Sequence, residues 1–136
     1  MEANTIHVSI YKTGTGYSAG VDEILGVITT GKTLDEIKKN MAEALDFHLE
    51  GMREDGEEIP EVVKGDYDIV FKMDVESLLE YYSGILTQSA ISRITGINVK
   101  QLNHYATGKS KPRPQQVRKI EAGLHKLGTE LCQIQL

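Results

Sequence analysis

The hydrophobic period of this chain switches between two values, and the order of the switches restricts the folds available to it. Ile6, Val8 and Ile10 alternate with His7, Ser9 and Tyr11, a period of two that predicts a strand over residues 5–11. Lys12 to Gly16 (KTGTG) reads as a turn, because glycine tolerates positive φ. Tyr17 to Val21 reads as a second strand, and Ile24 to Thr29 (ILGVIT) as a third in which Gly26 marks a bulge or a close backbone approach. The period then becomes 3.6. Leu34, Ile37, Met41, Leu45 and Met52, with Ala44, His48 and Leu49 between them, form one stripe, and Thr33 with Glu36 forms a capping box at its start. That helix should stop near Asp55-Gly56, ahead of Pro60. Glu57 to Lys64 (EEIPEVVK) reads as an extended arm, and Tyr67 to Met73 as a fourth strand. The order β-β-β-α-β predicts a small sheet with one helix across a face.

Beyond Asp74 the helical period takes over. A helix starts near Ser77. Thr87 can cap a short helix over 88–95, Gly96 stands where a left-handed residue is wanted, and Asn98 can cap another over 99–107. Two short helices joined by a glycine turn predict a helix-turn-helix. Pro114 starts a last helix with the stripe Val117, Ile120, Leu124 and Leu127, closed by Gly128. The tail alternates Leu131, Gln133 and Gln135 with Cys132, Ile134 and Leu136, which predicts a short terminal strand. A lone terminal strand is marginal, so 131–136 is expected to pair with a second copy as a dimerising strand. The chain is therefore expected to be α+β with two domains, 1–73 and 74–136.

Charge divides at nearly the same place. Residues 1–80 carry 18 acids and 7 bases, a balance of −11, whereas residues 81–136 carry 2 acids and 8 bases, a balance of +6. The acidic half suits a basic protein partner and the basic half suits phosphate. Within the basic half, Gly96 to Pro114 holds four cations and no acid. Each helical residue advances about 100°, so Leu102 and Tyr105 can pack inward with Ile91 and Ile97 while Lys100, Asn103 and His104 point away. Lys100 can meet groove acceptors, Asn103 an adenine, and Val99, at the edge of that face, a thymine methyl. Asn98 and Gln101 belong to the same surface. Gln88, opening the preceding helix, suits a phosphate, as do Lys109, Lys111 and Arg113, which follow.

Other chemistry finds little support. Cys132 is the only cysteine, so neither a disulfide framework nor a cysteine metal cluster is available. His7, His48, His104 and His125 are widely separated, and none is spaced to share a metal. Neither a P-loop nor a GxSxG elbow occurs. No catalytic residue, metal or cofactor is assigned; a nuclease reading would fall on Asp22 and Asp74. No apolar run approaches the roughly 20 residues of a membrane span. MEANTIHVSIYKTG has no basic region leading an apolar core, so a cytoplasmic protein is expected.

Two resemblances sharpen this reading. Gly16 to Glu61 resembles the HicB-family antitoxins: Tyr17-Ser18 in the second strand, the Thr29-Thr30-Gly31 turn, the helix from Thr33 to Gly51, and the acidic tail Asp55-Gly-Glu-Glu-Ile-Pro60. Many members carry a PDLPG or PDIPG segment where this chain has Val21 to Gly26 and keeps only the Asp and the Gly. The resemblance implies a partial ribonuclease H-like fold and a small basic ribonuclease toxin of the HicA type as partner. Tyr17, Ser18 and Asp22 are candidates for touching it. Residues 77–128 resemble the Xre/Cro-type repressors, which implies operator binding, with Gln88 on phosphate and Val99, Lys100 and His104 facing bases. Thr95 stands where that family usually buries an aliphatic residue. The expected function is an antitoxin that silences its toxin and represses its own operon. The alternative is a ligand-sensing repressor with an N-terminal effector domain.

Overall fold

The computed structural model describes residues 4–136. The chain divides into two compact units, Met1–Asp74 and Val75–Leu136. In the first, β1 (Asn4–Lys12), β2 (Tyr17–Val21), β3 (Ile28–Gly31) and β4 (Tyr67–Met73) form one sheet in the order β3-β2-β1-β4. β1 pairs antiparallel with β2, β2 antiparallel with β3, and β1 parallel with β4. The alternation in β1 sends Ile6, Val8 and Ile10 to one face, where each is at most 1% exposed; Ala19 and Val21 of β2 join them. Helix α1 (Leu34–Glu54) covers this face with Ile37, Met41, Leu45 and Leu49. Burying each such side chain is worth about 1.5–3 kcal/mol over leaving it in water.

The helix start follows its capping chemistry. The Thr33 hydroxyl accepts the Glu36 N–H at 3.1 Å, and the Glu36 carboxylate reaches back to accept the Lys32 N–H at 2.6 Å. The Asn40 amide donates to the Thr30 carbonyl at 2.8 Å, tying the helix to β3.

Two expectations for this unit are corrected. The third strand begins at Ile28, not Ile24. The hairpin closes where Val21 N–H donates to the Val27 carbonyl at 3.1 Å, so residues 22–26 form a loop. Ile24 is buried from that loop, and Gly26 ends it with φ +92°; it marks no bulge in a strand, but the expected close approach holds, since a Cβ there would stand 3.3 Å from the His48 ring. The expected arm over 57–64 contains a 3-10 turn, Glu61–Val63, held by an ion pair of 2.9 Å between Lys64 and Glu61 and by burial of Val63.

The second unit is helical: α2 (Val75–Tyr81), α3 (Gln88–Thr95), α4 (Val99–Ala106) and α5 (Pro114–Cys132). Its core gathers Val75, Leu79, Ile91, Ile97, Leu102, Tyr105 and Ile120. α4 packs against α2 and α3, and α3 against α5. The last of these crossings is close at Gly123, where a Cβ would stand 2.7 Å from the Ile94 carbonyl oxygen. The Thr95 hydroxyl is matched on both sides: it donates to the Ile91 carbonyl at 2.7 Å and accepts the Ile97 N–H at 3.2 Å.

The expected terminal strand is absent. Leu131 and Cys132 are the last residues of α5, Gln133 caps it, and Ile134 to Leu136 continue without regular structure. The helix passes Gly128 because the stripe Ile120, Leu124, Leu127 and Leu131 keeps its 4-3-4 spacing across it, and one helical glycine costs only about 1 kcal/mol. Among the described residues no strand lies beside this tail to complete a ladder.

Candidate nucleic-acid interface and open sheet face

In the second unit, three caps fix the relation between α3 and α4. The Thr87 hydroxyl accepts the Ala90 N–H at 3.0 Å. Gly96 takes φ +77°, a left-handed conformation that an L side chain would strain, and its N–H returns to the Ser92 carbonyl at 2.8 Å. The Asn98 side-chain oxygen accepts the Lys100 N–H at 2.7 Å. Asn98 therefore spends its oxygen as a cap. The turn buries Leu102 and Tyr105 and leaves Val99, Lys100 and Asn103 exposed on one side of α4, with His104 half-buried.

Gln88 joins this surface: its amide donates to the Asn103 side-chain oxygen at 3.4 Å, so the first residue of α3 and the middle of α4 are in contact. Gln101 sits on the flank, half-buried, and donates to the Ser110 hydroxyl at 3.3 Å, a contact that steadies the loop after α4. That loop exposes Lys109, Lys111 and Arg113. Lys111 and Arg113 line a cleft of about 590 Å³ with Lys119 of α5. Lys119 was not singled out from sequence, although the Gln115/Lys119 spacing at the start of α5 was available to do so. Thr107 is exposed at the end of α4, its hydroxyl donating to the Asn103 carbonyl at 2.9 Å.

The toxin candidates of the first unit are not brought together. Tyr17 is 8% exposed and points to the α1 side of the sheet, because neighbouring strand residues face opposite ways. Ser18 faces the open side, and Asp22 stands at its rim in the loop after β2. The aromatic on the open side is Tyr11, opposite Ser18 and 60% exposed, and the alternation of β1 already pointed to it. Around it the open face carries exposed Ile28 and Val70 and two polar clusters. In one, Asp22 accepts from the Ser9 hydroxyl at 2.7 Å and from Lys72 at 3.3 Å. In the other, one Glu23 oxygen accepts the His7 N–H at 2.6 Å while the second lies 2.8 Å from His7 Nδ1.

These contacts hold both acids below the ordinary carboxylate range. For Asp22 the Ser9 hydroxyl acts most strongly, opposed by partial burial and reinforced by Lys72. For Glu23 burial opposes ionisation, and the backbone N–H and ring of His7 outweigh it. A depressed folded value means that the stabilisation is present above the ordinary value and is lost as pH falls through the folded one. Thermal unfolding followed over roughly pH 3 to 6 is therefore expected to show unit 1 weakening at the acid end, with a smaller drop in Asp22→Asn and Glu23→Gln. The exposure of these pairs keeps the effect modest. Among the described residues no group of three or more His, Cys, Asp or Glu is placed to hold a metal ion. No described helix is long and apolar enough to cross a membrane.

An acidic α+β unit with a polar open sheet face, followed by a basic helical unit, is the setting in which comparison with known proteins becomes informative. The model of the HicB-like antitoxins of bacterial toxin–antitoxin systems matches residues 5–95, and the chain belongs to that family. The match takes in β1 through α3 and ends before α4. A 14.9 kDa protein from the rep–hol intergenic region of Haemophilus phage HP1 (strain HP1c1) is 43% identical over 53 residues, 39% of this chain and 40% of the phage protein. The chain thus spans well under half the length of that relative.

Proposed function

We propose that the chain is an antitoxin with two binding jobs: the acidic first unit covers a small basic ribonuclease toxin of the HicA type, and the basic second unit holds the operator of its own gene pair. The observation that carries this is the family match over residues 5–95, which takes in α1 and all but the first residue of the sheet, in a chain whose charge divides into −11 over residues 1–80 and +6 over residues 81–136. The sheet order β3-β2-β1-β4 with β1 and β4 parallel supports reading the first unit as a partial ribonuclease H-like fold. The open face is the toxin surface on this reading, with Ser18 and Tyr11 on it and Asp22 at its rim. Its acids, Asp22, Glu23 and Asp68, suit a cationic partner.

The α3–Gly96–α4 arrangement supports a helix-turn-helix in which α4 enters the major groove. Lys100, Asn103, His104 and Val99 would face bases there. Gln88, Lys109, Lys111, Arg113 and Lys119 would hold phosphates. Leu131, Ile134 and Leu136 are 58%, 61% and fully exposed, so the end of α5 and the tail support self-association there through a helix instead of a strand. A twofold dimer matches a palindromic operator.

Expression of the tagged chain with its flanking genes tests the first job. A stoichiometric small basic protein is expected to co-elute and to be toxic when expressed alone. Elution without such a protein would overturn the antitoxin reading. It would favour the ligand-sensing repressor, whose binding site would be the cleft of about 620 Å³ lined by Thr13, Thr15, Tyr17, Lys32, Lys39 and Asn40.

A further inference from the structure

The fourth strand ends the sheet, and its outer edge has no strand beside it among the described residues. An open edge offers unpaired N–H and C=O groups to another chain, and proteins usually blunt it with charges that resist pairing. The residues of β4 do not resist; they are ordered to match themselves. The strand reads Tyr67-Asp-Ile-Val-Phe-Lys-Met73. Asp68, Val70 and Lys72 are exposed on the open face, and Tyr67, Ile69, Phe71 and Met73 are half-buried on the α1 face. Turned antiparallel about Val70, the strand sets Asp68 opposite Lys72 of a second copy, and Lys72 opposite its Asp68. Ile69 then meets Phe71, Tyr67 meets Met73, and the exposed Val70 pair lies on the axis. Opposite charges directly across a ladder attract, and aliphatic–aromatic pairs support it.

We infer that the β4 edge is a self-pairing surface, on which two copies of this chain join their sheets antiparallel about a twofold axis at Val70. Charge order chooses the second copy as occupant. A strand with like charges at both ends would repel itself in this register, and a generic partner would not need acid and base equally spaced from the centre. The contact is isologous, each copy offering the same patch. It is short, so association through it is reversible and concentration-dependent. It belongs to the first unit, and it depends neither on the antitoxin reading nor on the tail of α5.

The test uses the full chain, alone, without toxin or DNA. Asp68→Lys places two lysines opposite two lysines, and Lys72→Asp places two aspartates opposite two aspartates. Each variant by itself is expected to weaken the association seen in sedimentation by about tenfold. Mixed, the two variants restore both opposite-charge pairs, and native mass spectrometry is expected to find the mixed species well above the statistical share. The double variant Asp68→Lys/Lys72→Asp exchanges the charges across the seam and gives up only the exposed Lys72–Asp22 pair within each copy, so it should regain the wild-type association. Circular dichroism of each variant confirms folding. A statistical distribution on mixing, or single variants that associate like the wild type, overturns the proposal. So does protection of the β4 amides from hydrogen exchange only when another protein is added, which would give the edge to that protein.

Discussion

Gly123→Ala is expected to destabilise the second unit, although alanine ordinarily favours a helix over glycine by about 1 kcal/mol. The reason is the α3–α5 crossing: the added methyl would stand 2.7 Å from the Ile94 carbonyl oxygen and 3.1 Å from the Thr95 methyl. The first of these is backbone, so relief requires α3 to move. Overpacking of this kind costs roughly 1–3 kcal/mol. Gly128, five residues further along the same helix, has no atom within 4 Å of its would-be Cβ. There the propensity gain stands unopposed, and Gly128→Ala is expected to raise stability by up to about 1 kcal/mol. The two variants share a helix and a chemistry and should shift the midpoint in opposite directions. Thermal unfolding of both checks this. A stabilised Gly123→Ala would mean that the crossing is wider than described. Because α3 also carries Gln88, any movement should, on the proposed operator-binding function, appear as weaker DNA binding in Gly123→Ala alone.

The second large effect separates the two kinds of DNA contact assigned to the helical unit. Lys100 lies on the exposed side of α4 with Asn103, and Lys111 lies in the loop that follows. Lys100→Ala is expected to narrow the gap between operator and unrelated DNA, by about 1–3 kcal/mol if the lysine reads a base. Lys111→Ala should weaken binding to every sequence alike and reduce the slope of log affinity against log salt by about 0.9, the value for one phosphate lost. Titrations at several salt concentrations, on operator and on scrambled duplex, check both. If neither variant changes operator binding, α4 is not the groove-facing element.

Much of this architecture was legible because local signals agreed with tertiary ones. β1 and β4 follow the alternation of their apolar residues. The start of α1 follows Thr33 and Glu36. The α3–α4 turn follows from Thr87, Gly96 and Asn98, whose roles are local backbone chemistry. The errors fell where local and tertiary signals part. Ile24 to Thr29 looks like one apolar run, but Val21 pairs with Val27, a choice of hairpin register that composition does not encode. Residues 131–136 alternate when read alone, yet Leu131 also continues the helical stripe, and a short window hid that continuity. At the open face, the Tyr17-Ser18 pair reads as an exposed aromatic beside a short polar group, but strand alternation turns Tyr17 inward. The Ser9–Asp22–Lys72 cluster was illegible, since it joins three separate segments through the parallel β1–β4 pairing.

That pairing also bears on the order in which the molecule assembles. Asn4 meets Tyr67 and Ile10 meets Met73, a constant offset of 63 residues. The entropy of closing so long a loop is lost before any ladder contact rewards it, and sequence-distant pairing slows folding. The helices of the second unit follow one another with short connections and need no such closure. The second unit is therefore expected to fold faster than the first. During synthesis the sheet lacks its fourth strand until residue 73 has emerged. The half of the chain that is made first completes its fold late, and over that interval β1 has an open edge within reach of proteases and of other nascent chains.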